Sequence, residues 1–126
     1  MNHRMTLADV AEIAAKGDRF ELAFRTFLDR FRESPGVSAL TPEPPRLVGK
    51  VNDGDVIDAY LAATADALSA EQSFPLPNWA ASVDRRLTRP WFALPWSGMR
   101  SILLLESPAP FRSRNLFVSA NALCRA

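Results

Sequence analysis

The chain has 126 residues, 48% of them hydrophobic and 23% charged, with a net charge of +1, one cysteine and one histidine. That length and composition fit one folded domain, 1–126, with a single core, and argue against wholesale disorder. Apolar runs are only a few residues long, far below the about 20 needed to cross a bilayer, and no signal-peptide core follows Met1. Cys124 alone cannot form an intramolecular disulfide, so a reducing cytoplasm is the expected compartment and no membrane association is expected.

In chain order, Thr6 is placed to cap a short helix over 7–16, with Leu7, Val10, Ile13 and Ala14 on one face and Gly17 ending it. Asp18, with Glu21 three residues on, makes a capping-box-like start for a second helix. There Phe20, Ala23, Phe24, Phe27, Leu28 and Phe31 form one apolar stripe, opposite Arg19, Arg25, Asp29, Arg30 and Arg32. The stripe reads as core, or else as a partner groove or dimer face built on Phe20, Phe24, Phe27 and Phe31. Ser34-Pro35-Gly36 ends this N-terminal helix pair, 1–36.

Residues 37–54 form a connector, with Pro42, Pro44, Pro45, Gly49 and Asn52-Asp53-Gly54. It is long for a plain loop, so it either wraps the surface or belongs to a binding site. From Asp55 a helical period returns: Val56, Ile57, Tyr60, Leu61, Thr64, Ala67 and Leu68 share a face, and Asp58 and Asp66 are expected to point away from it. Asn78 then caps a short helix over 79–87, and 88–96 is an irregular Trp- and Pro-rich stretch. Further helices are expected over 97–106, over 109–114 with Ser107-Pro108 as its start, and in a last turn from Ser119 to Leu123. Leu116-Phe117-Val118 is at most a trace of β. The fold class is therefore mainly all-α, a compact bundle of five to six helices whose part 55–126 is rich in Arg and Trp.

Charge is unevenly spread. Residues 1–74 hold twelve carboxylates against eight Arg and Lys, and residues 75–126 hold seven arginines against Asp84 and Glu106, with no lysine. Three readings fit: the halves neutralise each other, or the arginines face an acidic protein partner, or they face nucleic acid. Arg85, Arg86, Arg89, Arg112 and Arg114 with Trp91 and Trp96 suit RNA stacking and phosphate contacts, and equally suit a protein interface.

Few catalytic constellations are available. His3 sits near the terminus, Cys124 has no identifiable base, the acids lack zinc-ligand company, and the five glycines make no phosphate loop. Neither a metal nor a cofactor is implied. Asp55 and Asp58, three apart on one helix, are the one carboxylate pair worth weighing as an enzyme site. Their other reading is charge at a helix N-terminus.

Arg89-Pro90-Trp91-Phe92, the leucine-rich run into Glu106-Ser107-Pro108, and Phe111-Arg112-Ser113-Arg114-Asn115-Leu116-Phe117-Val118 resemble a family of small bacterial proteins encoded beside nucleotidyltransferase-like toxins. Glu43-Pro44-Pro45 and Asp58-Ala59-Tyr60-Leu61-Ala62-Ala63 fit the same pattern, which runs from residue 40 onward. Members often carry an N-terminal helix-turn-helix. That module is missing from this sequence, so operon autoregulation is not carried over. The resemblance implies an antitoxin-like, non-enzymatic partner that restrains an enzyme. Arg89, Trp91, Phe92, Arg112, Arg114 and Asn115 are then interface or fold-closing residues, with Arg112 and Arg114 pairing with partner carboxylates. The alternatives are an RNA-binding accessory domain on the same arginines and an enzyme centred on Asp55 and Asp58.

Overall fold

In the computed structural model, which describes residues 4–17, 19–93, 107–119 and 123, helix α1 (Leu7–Ala15) begins at Thr6. The Thr6 hydroxyl accepts from Asp9 N at 3.1 Å and the Asp9 carboxylate accepts from Thr6 N at 2.9 Å, so two orphan donors of the first turn are satisfied reciprocally. Gly17, at φ +90, supplies the left-handed residue that turns the chain out of the helix. Helix α2 (Phe20–Glu33) then packs back on α1. Its N-cap position is Arg19, with no side-chain cap bond; the expected Asp18 cap lies outside the described residues. Ala23, Phe24, Phe27, Leu28 and Phe31 are buried, and Phe20 is half-buried, so most of the aromatic stripe is core. Each fully buried Phe contributes roughly 2–3 kcal/mol of transfer free energy.

The connector is packed into the fold. A 3-10 turn, η1 (Val37–Ala39), leads to Leu40, and both Leu40 and Leu47 are fully buried. The Trp79 indole N–H donates to Leu40 O at 3.0 Å and Arg85 Nη2 donates to Pro44 O at 2.6 Å, fixing the segment from the far side. At its end the chain turns against the start of helix α3 (Gly54–Gln72). A Cβ on Gly54 would lie 2.0 Å from Leu47 O, so only glycine permits that approach.

Helix α3 is buried along its middle and is the strut against which α1, the later turns and the segments Ala109–Arg112 and Leu116–Phe117 pack. The expectation that Asp58 and Asp66 point to solvent fails here: Asp58 is 1% exposed and Asp66 is only half-exposed. The physical reason is that the middle turns of this central helix have no solvent face, so the acids there are satisfied by partners from other elements. The helix expected over 79–87 is also corrected. It is two 3-10 turns, η2 (Asn78–Ala81) and η3 (Val83–Arg85), separated by Ser82 in an extended conformation. Six residues apart on a continuous helix, Trp79 and Arg85 would diverge by about 120°. The break lets both bury, with the guanidinium carbon 5.0 Å from the Trp79 ring centroid.

Strand β1 (Trp91–Phe92) pairs in parallel with β2 (Leu116–Phe117), Trp91 opposite Leu116 and Phe92 opposite Phe117. Helix α4 (Ala109–Arg112) precedes β2 and is shorter than the 109–114 expected. Ser107 is not its cap. Its buried hydroxyl donates to Val118 O at 2.9 Å and accepts from Val118 N at 2.7 Å, clamping the end of β2. The helix expected over 97–106, Trp96, and most of the last expected turn lie outside the described residues. Among the described residues there are four α-helices and three 3-10 turns, a mainly helical fold with fewer helices than the five to six expected. One buried cluster runs from Leu7 to Leu123.

Candidate functional site

Part of the charge asymmetry of the sequence is spent inside the fold. Arg114 is 3% exposed. Its Nη1 meets Asp66 Oδ2 at 3.1 Å and Pro110 O at 2.8 Å, and its Nη2 donates to Ala80 O at 2.9 Å. Arg85 is wholly buried, with Asp58 at 3.9 Å and Glu43 at 3.7 Å. Burial pulls its pKa below the ordinary guanidinium value; Asp58 and Glu43 push it back up and Arg46 lowers it further. Arg46 in turn lies 3.7 Å from Asp58 and 3.6 Å from Asp84, and Arg32 is bridged to Glu71. Two arginines of the basic half thus contact three acids of the acidic half, one of which, Asp58, also has Arg46 beside it.

Of the partner-binding set, Arg114 is therefore fold-closing, not partner-facing. Asn115 has the same role: it takes a left-handed backbone at φ +64, and its amide donates to Leu87 O at 2.7 Å while its carbonyl accepts from Trp91 N at 2.9 Å. Phe92 is half-buried and stacks on Phe117 at 5.0 Å. Arg86, Arg89 and Arg112 remain exposed, so an arginine face for RNA loses Arg85 and Arg114.

The carboxylate pair does not assemble either. Asp55 is exposed and accepts from Val56 N, whereas Asp58 is buried and accepts from Leu47 N at 2.8 Å and Val48 N at 3.1 Å. With two amides and two guanidinium groups around it, Asp58 has a structural occupation and no shared ligand with Asp55. Among the described residues no group of three or more His, Cys, Asp or Glu could hold a metal ion, and no helix is long and apolar enough to cross a membrane.

What the fold does assemble is an apolar groove of about 600 Å³ between α2, the turn at 51–53, the first turns of α3, and β1. Phe20, Phe24 and Leu28 come from α2, Val56, Ile57 and Tyr60 from α3, and Trp91 from β1; Glu21, Arg25, Asn52 and Asp53 supply its polar atoms. The aromatic wall is held rigid by ring contacts: Phe20 stacks on Phe24 at 5.5 Å, and Tyr60 meets Phe24 edge-on at 5.3 Å and Phe111 at 5.0 Å. Trp91 and Val56 also border a smaller cleft that contains Arg89 and Asp55. The sequence named Phe20, Phe24 and Trp91, in two separate sets, but not that they meet. It missed Tyr60, Val56 and Ile57 as a wall, because their helical period reads equally well as core.

Burial pushes the Tyr60 phenol from 10.0 up to about 12. The folded state prefers the neutral phenol, so this contribution to stability is whole below pH 10 and is lost as pH rises through about 12. The expected result is an alkaline loss of up to about 2–3 kcal/mol that Tyr60→Phe does not show. Urea unfolding of both proteins on either side of that range measures it. Parallel losses in the two would mean that Tyr60 does not cause the effect.

No family model matches the chain, and no curated protein and no solved structure matches it either.

Proposed function

We propose that this chain is a non-enzymatic binding protein whose groove takes an apolar segment of a protein partner, and that the partner is a nucleotidyltransferase-type enzyme restrained as by an antitoxin. The observation that supports this reading is the convergence of Phe20 and Phe24 with Trp91 on one groove, beside the exposed Arg89. Aromatic residues fixed in place lose little entropy on binding, and Trp, Tyr and Arg dominate the energetics of interfaces. An apolar anchor entering the groove displaces water from the Phe20–Tyr60–Trp91 wall. Arg25, Glu21 and Asp53 are placed to set its orientation. Arg89 is placed to pair with a partner carboxylate next to the anchor. With Arg114 internal, Arg112 is the one of the expected acid-pairing arginines that stays exposed.

On this reading a nucleotidyltransferase-type protein is encoded beside the chain, and co-expression with it provides the test. The expected result is a stable complex with nucleotide transfer suppressed. Phe20→Ala and Trp91→Ala should each weaken binding by about 2 kcal/mol, roughly 30-fold, and restore transfer, while the helical circular dichroism signal is kept. Absence of a complex, or full restraint by a chain carrying both Phe20→Ala and Trp91→Ala, would overturn the reading.

A further inference from the structure

Helix α2 buries its aromatic stripe inward, yet Leu22 on its other side is 63% exposed. Leu22 lies in a second depression, about 740 Å³, formed by α1 and α2 together, with Met5, Ile13 and Ala23 as the remaining apolar lining. None of its residues lines the aromatic groove. The polar residues around it are ordered along α1. Asp9 and Glu12 lie in the helix, while Lys16 and Arg19 follow at its C-terminal end. Apolar residues in the middle with charges around them is the usual layout of a protein interface.

We infer that this α1–α2 face binds the same face of a second copy of the chain. A two-fold axis near Ile13 and Leu22 runs the two α1 helices antiparallel, so Glu12 of each copy meets Lys16 and Arg19 of the other, and Leu22 meets Leu22. A parallel arrangement sets acid against acid and base against base. Asp9 is already engaged with Thr6 N. Arg30 sits towards the Met5 end, where it also borders the neighbouring depression with Glu33. Counting both, the acidic end carries one net negative charge against two positive charges at the other, so the antiparallel pairing remains attractive. Glu12 and Lys16 are also neighbours along their own helix, so the dimer gathers both pairs into one alternating cluster. Because the aromatic groove lies elsewhere, a dimer presents two grooves and can bind a partner at both.

Sedimentation equilibrium of the full chain, over a range of protein and salt concentrations, tests this. A dimer that weakens with salt is the expected result. Leu22→Glu should give a monomer with unchanged helical signal. Glu12→Lys and Lys16→Glu should each weaken association about tenfold, and the two combined in one chain should recover part of it, because the charges at 12 and 16 are again complementary across the axis while Arg19 stays unchanged. A wild-type chain that stays monomeric throughout would overturn the inference. So would a dimer indifferent to Leu22→Glu and to both single charge changes. The readout is mass, not partner capture, so it fails or succeeds independently of the groove.

Discussion

Replacing Asp58 with alanine should destabilise the protein by about 3–5 kcal/mol, a large part of the 5–15 kcal/mol typical of a domain. The carboxylate is the one acceptor for two backbone amides of the connector, Leu47 N and Val48 N, and it faces the buried Arg85 and the half-buried Arg46. Without it, two donors are orphaned beside Gly54, where the chain passes too close to α3 for a side chain to fill the space. Arg85 keeps Pro44 O and the Asp58 carbonyl, but its remaining carboxylate, Glu43, is 61% exposed and 3.7 Å away. Asp58→Asn keeps the shape and one acceptor but turns a donor towards these amides, so a loss of about 1–3 kcal/mol is expected. Urea denaturation midpoints of the two variants measure the order. A cost under about 1 kcal/mol for alanine would show that the joint between connector and helix carries little of the stability.

Arg114→Met should cost about 2–4 kcal/mol. Methionine preserves much of the aliphatic stem but leaves the Ala80 carbonyl without its donor, leaves the Pro110 carbonyl with only the Ser113 hydroxyl, and strips Asp66 of its cation. Asp66 is 32% exposed and can rehydrate, so the loss comes mainly from the buried Ala80 carbonyl. Arg114→Lys should recover only part of it, because one ammonium cannot reach all three acceptors as the planar guanidinium does. If Met and Lys were equally well tolerated, the bridge from α4 through α3 to η2 would be dispensable. The Arg114 Nε, buried without a hydrogen-bond partner, already sets a limit on what this arginine contributes.

These two residues also mark where reading the chain by itself stops. The helices α1, α2 and α3 are legible from period, caps and breakers, because those signals act over a turn or two: Thr6 ahead of Leu7, Gly17 after Lys16, the return of i, i+3, i+4 spacing after Asn52-Asp53-Gly54. The Phe stripe on α2 is legible in the same way, and so is the short extended piece at Leu116-Phe117. Helix 79–87 is misread because local propensity was overruled by two side chains, Trp79 and Arg85, whose partners lie in the connector some forty residues earlier.

The arginine set shows the same limit in its chemistry. Sequence alone determined that the second half carries an excess of guanidinium groups, and that the first half carries the acids to meet them. Only the tertiary structure decided which arginines are spent on that meeting. Arg85 and Arg114 reach Asp58 and Asp66 across 27 and 48 residues, leaving Arg86, Arg89 and Arg112 exposed. It likewise decided that Trp91 faces Phe20 and Phe24 across one groove. Local pattern specifies what each helix or turn is; burial fixes which charges must be paired, and pairing depends on which elements the packed core brings side by side.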